Sequence, residues 1–206
     1  MHKPTAAVVE ACKHFTSWLM GERNTPLVFI ATADFMTAAF GDSSHANDGL
    51  TSRGYIGMLL MLGRNAISFK SNMPKVVALS TRDAELVAAV NAAKRLIAFG
   101  LLLRDLGLHP DGPLPLYSDS STTVFSANSQ MVHPGSRWNS IRIHWLQQQV
   151  LDQLIQVCWC AGENMKADVL TKFIVEISKF MEVRDDLMNQ AYRFTEFYGL
   201  YLRKFR

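Results

Sequence analysis

The chain has 206 residues, 49% hydrophobic and 19% charged, the balance of a globular protein and not of a disordered one. Its formal net charge of +3 permits a nucleic-acid partner without demanding one. No apolar run approaches the roughly 18–20 residues of a membrane span, "MHKPTAAVVEACKHF" has no apolar signal core, and three cysteines complete no zinc set.

Taken in chain order, Val8, Val9, Cys12, Phe15, Trp18 and Leu19 recur at helical spacing over residues 4–20, and "GERNTP" closes that helix. "LVFIATADFMTAAFGDSS" reads as two short strand-like runs. In the second, Met36, Ala38, Phe40 and Asp42 alternate onto one face. "GYIGMLLMLG" is an apolar strand, Arg64-Asn65 its hairpin turn and "AISFKSN" the returning strand. The longest helical segment is "LSTRDAELVAAVNAAKRLIAFGLLLRDLGL". Ser80 and Asp83 form a capping box ahead of it, and Leu86, Val90, Ala93, Ile97 and Leu101 make its core stripe. Glu85 lies off that stripe beside Ala88, Ala89 and Ala92, small side chains that let a helix face approach a sheet.

The Pro-punctuated "HPDGPLP" leads into a short strand that ends at Ser118-Asp119. A helix near 121–128, a polar loop around His133, a helix near 140–153, the strand "LIQVCWCAG" and a helix containing "MKADVLTKF" follow. The tail from 175 is helical by pattern. Cys12, Cys158 and Cys160 read as core cysteines of a reducing compartment, cytoplasmic or nuclear in the absence of a secretion signal. Three strands, a long helix and then strand–helix–strand–helix argue for an α/β fold, a mixed sheet with helices on its faces.

Four acidic residues sit at the ends of these elements: Asp42 closes the first strand, Glu85 opens the long helix, Asp119 ends the fourth strand and Asp168 lies early in a helix after the last strand. A right-handed crossover makes the strands of Asp42 and Asp119 parallel, which brings their ends together, and the helix across the sheet carries Glu85 over them. Carboxylates that converge without His or Cys repel one another unless hard divalent cations such as Mg²⁺ neutralise them. Each residue alone also has a plain structural role: loop solvation for Asp42, dipole pairing for Glu85 and Asp168, a helix cap for Asp119.

The local words resemble the ribonuclease H domain of copia-type retrotransposons. "FGDSSHANDGLTSRGYIGMLLMLGRNAISFKS" is similar to that family's first acidic block, "VALSTRDAEL" to its "VALSSTEAEY", "LYSDSSTTV" to its "IYCDNQSAI" and "ADVLTK" to its "ADIFTK". The likeness covers about residues 3–173, and each word keeps its acidic position. It implies a ribonuclease H-like mixed five-stranded sheet flanked by helices. It further implies that Asp42, Glu85, Asp119 and Asp168 bind two Mg²⁺ or Mn²⁺ ions and hydrolyse the RNA strand of an RNA–DNA hybrid. Lys70, Lys75 and Arg82 are the corresponding candidates for phosphate contact, with a solvated charged face as the alternative.

Under this resemblance residues 1–30 are the helix and linker that follow a reverse transcriptase, 31–174 the ribonuclease H-like domain and 175–206 a helical tail. The partners are the hybrid and other parts of a retroelement polyprotein, with no membrane. Some positions depart from the family. "GDSSHAND" lacks the aromatic residue after the first Asp, "RWNSI" replaces "KHIDI", and the loop "AGENMKAD" has no histidine, leaving Glu163 and Lys166 in its place. The four acidic positions survive these changes, while a module that binds nucleic acid or protein without turnover is the competing expectation.

Overall fold

The computed structural model describes residues 5–31, 35–45, 51–75, 77–129, 139–172, 174 and 177–189. Helix α1 spans Ala6–Glu22, followed by strands β1 (Thr37–Ser43), β2 (Ile56–Leu62) and β3 (Asn65–Asn72). Helix α2 (Thr81–Asp105), strand β4 (Leu114–Ser118), helices α3 (Ser121–Asn128) and α4 (Ser140–Leu151), strand β5 (Ile155–Trp159) and helix α5 (Ile177–Leu187) complete the order. The five strands form one sheet in the order β3-β2-β1-β4-β5. The β1–β2 and β2–β3 pairs are antiparallel, whereas β4 runs parallel to both β1 and β5. The expected mixed five-stranded sheet is therefore present.

Both faces of the sheet are covered, which explains why "IGMLLML" is apolar without alternation. Met58 and Leu60 pack with Leu86, Ala89, Ala93 and Leu96 of α2, while Leu59 and Met61 pack with Phe40, Met165 and Ala167 on the other side. Between β1 and α2 the approach is close: a Cβ on Gly41 would stand 3.1 Å from the Ala88 carbonyl oxygen and 3.2 Å from the Ala92 methyl. The small face predicted around Glu85 is thus the face that meets the sheet.

The capping at the start of α2 is as expected. Ser80 Oγ accepts from the Asp83 amide at 3.1 Å, and the Asp83 carboxylate accepts from the Leu79 amide at 3.2 Å. The core stripe differs in its second half. Ile97 is half-buried and Leu101 is exposed, and the buried line runs instead through Leu96, Gly100 and Leu103. At 3.6 residues per turn the chosen stripe drifts round the helix and leaves the sheet-facing side. By length and composition α2 could cross a bilayer, yet in this fold it is the central core helix, with half of its most apolar window buried.

Four local differences have physical causes. The hairpin turn is Gly63-Arg64, because Gly63 supplies the φ of 55° that a tight turn requires and Asn65 already pairs with Leu62. Residues 27–31 form no strand. Their backbone is tied instead by side-chain amides: the Asn65 side chain accepts from the Ile30 amide and donates to its carbonyl, and Asn189 donates to the Val28 carbonyl. The segment containing "MKADVLTKF" is not an α-helix but two 3₁₀ turns, Gly162–Asn164 and Lys166–Leu170. Cys12 is exposed, and Cys158 and Cys160 are half-buried free thiols, so none belongs to the deep core. The loop around His133 lies outside the described residues.

Helix α1 has no buried residue. It touches α5 through an edge-on Trp18–Phe180 ring contact and through Arg184, whose Nη1 donates to Glu22 Oε1 at 2.6 Å.

Candidate active site

Strand register brings the first two carboxylates together. Phe40 pairs with Tyr117 across the parallel β1–β4 ladder, so Asp42 and Asp119, each two residues further on, emerge at the same end of the sheet. The rings of Phe40 and Tyr117 stack at 5.0 Å beneath them. Glu85, in the second turn of α2, reaches the same point from above. One oxygen from each of Asp42, Glu85 and Asp119 lies within 4.8 Å of the others. Asp119 is half-exposed and Asp42 and Glu85 are buried. Asp119 is not the cap of α3: that role falls to Ser120, whose Oγ accepts from the Thr123 amide at 3.3 Å.

Asp168 arrives on the 3₁₀ turn and joins this cluster through a lysine. Lys172 Nζ donates to Asp168 Oδ1 at 2.6 Å and stands 3.7 Å from Asp42 Oδ1. Thr171 donates its hydroxyl to Asp42 Oδ2. Ser43 Oγ donates to Glu85 Oε1 at 2.8 Å. Among the described residues, two buried oxygens of the cluster remain without a hydrogen-bond partner, Asp42 Oδ1 and Glu85 Oε2. Such orphaned acceptors are expensive to bury unless something else satisfies them.

The electrostatics follow from this crowding. Burial, reinforced by the charge of Asp42, pushes the Glu85 carboxyl up to about 8 from an ordinary 4.5, against the opposing bond from Ser43. Burial likewise lifts Asp42 from 3.8 to about 6, despite the Thr171 hydrogen bond and the nearby Lys172 ammonium. Burial pulls Lys172 down, but its bond to Asp168 and the charges of Asp42, Asp168 and Asp119 outweigh that and hold the ammonium above its usual range.

Three other predicted residues lie outside the cluster. Lys70 on β3 and Lys75 after it are exposed. Arg82 is half-buried, and its Nη2 donates to Ser126 Oγ of α3 at 3.1 Å, bracing two helices. Lys166 pairs with Asp186 of α5. His144 is exposed on α4. Thr171, Lys172 and Ser43 escaped the sequence reading. Thr171 and Lys172 stood in the "ADVLTK" word itself, three and four residues beyond Asp168, the spacing at which one helical turn returns a side chain to the same side.

No protein-family model matches the chain. It is 31% identical over 171 residues to the retrovirus-related Pol polyprotein from transposon TNT 1-94 of Nicotiana tabacum, across 83% of this chain. The Pol polyprotein from transposon RE1 of Arabidopsis thaliana is 26% identical over 175 residues, across 84% of this chain. Over most of its length the chain is thus similar to a segment of transposon Pol polyproteins. It spans 13% and 12% of the length of these two polyproteins. Among solved structures, LC11-RNase H1, isolated from compost by a metagenomic approach, superposes with a TM-score of 0.50 at 18% identity, covering 66% of this chain and 93% of that one. The chain therefore has a ribonuclease H fold, with its acidic cluster at the sheet end where β1 and β4 run parallel.

Proposed function

We propose that this chain is a metal-dependent endonuclease that hydrolyses the RNA strand of RNA–DNA hybrids as part of a retroelement polyprotein. One observation carries the reading: Asp42, Glu85 and Asp119 converge within 4.8 Å, and two of their buried oxygens have no hydrogen-bond partner. An all-carboxylate donor set of this kind fits hard divalent cations and no soft metal. Asp42 and Asp119 would be the central ligands for Mg²⁺ or Mn²⁺, with Glu85 and Asp168 flanking. A pair of such ions supplies an activated water and neutralises charge on the departing 3′-oxygen.

The chain's own residues prepare that chemistry. Ser43 fixes one oxygen of Glu85 and leaves the other without a hydrogen bond, and Thr171 does the same for Asp42. With its carboxyl pushed up to about 8, Glu85 keeps its proton near neutrality until a cation displaces it. Lys70 and Lys75 are free to meet backbone phosphates, whereas Arg82 acts through α3, to which it is bonded. Hybrid selectivity rests on minor-groove 2′-hydroxyls. In this reading residues 31–174 form the nuclease domain, 1–30 the connection to a preceding polymerase and 175–206 the tail, in a cytoplasmic or nuclear setting.

The test is a labelled RNA–DNA hybrid incubated with the protein in Mg²⁺ and in EDTA, beside Asp119→Asn. Cleavage by the wild type with Mg²⁺ alone supports the reading. Cleavage that persists in Asp119→Asn, or a folded wild type that binds the hybrid without cutting it, rejects it; the second result favours a binding module that has lost turnover.

A further inference from the structure

Lys172 has a position that the acidic cluster alone does not explain. Its ammonium bridges the carboxylates on one side of the site, 2.6 Å from Asp168 Oδ1 and 3.7 Å from Asp42 Oδ1. Asp42 is fully buried and its Oδ1 accepts no hydrogen bond, so the ammonium meets it as a bare charge. Glu85 Oε2 likewise has no hydrogen-bond partner, and the ion pairs of Lys172 run to Asp42 and Asp168. Lys172 is itself 45% exposed and borders a cavity of about 530 Å³ that also touches Asp168, Lys166 and Lys179. Its four-carbon stem can therefore withdraw without unfolding anything.

We propose, on the metal-site reading above, that Lys172 is a built-in counter-cation that holds Asp42 and Asp168 together without metal and competes with a divalent ion for them. Were an ion to take both carboxylates, the Lys172–Asp168 bond would open and the ammonium would withdraw toward the adjoining cavity. The protein thus keeps a folded, metal-poor state, and its metal affinity is set lower than the carboxylates alone would give.

The test uses the whole chain and Mn²⁺ as probe, with calorimetry for affinity and thermal melting in EDTA for the metal-free state. Lys172→Met should bind Mn²⁺ about tenfold more tightly than wild type, because a unit charge beside the ion has gone, and should melt lower in EDTA. Lys172→Arg, which keeps the charge, should bind no more tightly than wild type. If wild type binds Mn²⁺ and Lys172→Met binds no better, the competitor role is overturned while the metal site stands. If neither binds, the metal-site reading fails and takes this inference with it. Should Lys172→Met not fold, the Lys172 side-chain amine resonance of the wild type, assigned by comparison with Lys172→Arg, provides the measurement. A shift that tracks added Mg²⁺ supports displacement, and an unmoved resonance overturns it.

Discussion

Replacing Glu85 by Gln should stabilise the metal-free protein, and by an amount that grows with pH. Glu85 is 7% exposed, and its carboxyl is raised from 4.5 to about 8. Below the lower value the folded and unfolded states both hold the proton, and no penalty exists. Between the two values the unfolded chain has released its proton while the folded chain retains it, so stability falls as pH rises. Above the upper value the penalty is complete, and a rise of this size corresponds to about 5 kcal/mol. The glutamine amide cannot ionise, and its carbonyl oxygen can still accept from Ser43, so the variant escapes this loss.

Urea unfolding in EDTA at pH 5, 7 and 9 measures the difference. The Gln variant should match wild type within about 1 kcal/mol at pH 5 and exceed it by several kcal/mol at pH 9. Asp42, raised from 3.8 to about 6, adds its own loss at lower pH and should do so in both proteins. A wild-type-to-variant gap that is flat across pH, or a variant that is weaker at pH 9, would refute the reasoning. It would mean that the Glu85 carboxyl is not desolvated in the folded chain.

Three further substitutions test the packing and the site. Gly57→Ala places a methyl 2.7 Å from Thr171 Cγ2 and 3.0 Å from the Ala167 carbonyl oxygen; about 2 kcal/mol of overpacking should lower the melting temperature by about 4–8 °C, read by calorimetry. The same variant should blunt the thermal response to Mg²⁺, since the 3₁₀ turn that carries Asp168 is pushed off β2. Leu96→Ala, at a fully buried core position, should lose about 3 kcal/mol in urea unfolding without altering the pH profile assigned to Glu85. Asp119→Asn should change stability by less than about 1 kcal/mol, because Asp119 is half-exposed, while abolishing hybrid cleavage.

The parts of the site that were legible in the sequence are those set by local pattern. Asp42 and Asp119 each close a short apolar run, and once the connection between those runs was read as a crossover helix, their juxtaposition followed from chain geometry. Glu85 was legible from Ser80 and Asp83, which fix the start of α2, and from the alanines that allow its face to approach β1. The lysine and threonine beyond Asp168 were not. Their spacing from Asp168 was visible, but their contacts with Asp42 depend on a 3₁₀ turn packed over Gly57, which no periodicity in "MKADVLTKF" reports. Residues 27–31 misled for a related reason. Their β-branched and aromatic content suits a strand, but their hydrogen bonds go to the side chains of Asn65 and Asn189 and to the Met188 carbonyl, partners remote in sequence.

Thr171 closes on Asp42 across 129 residues, and that span governs when the acidic cluster can exist during synthesis. The antiparallel strands β1 to β3 are neighbours in the chain and can zip as they leave the ribosome. Asp168, Thr171 and Lys172 follow only after β4 and β5 have been made. Until then the buried Asp42 has neither its hydroxyl donor nor its ammonium neighbour. A nascent or prematurely ended chain would thus hold its first three strands and no complete set of carboxylates, which makes finishing the domain a precondition for any chemistry at the cluster.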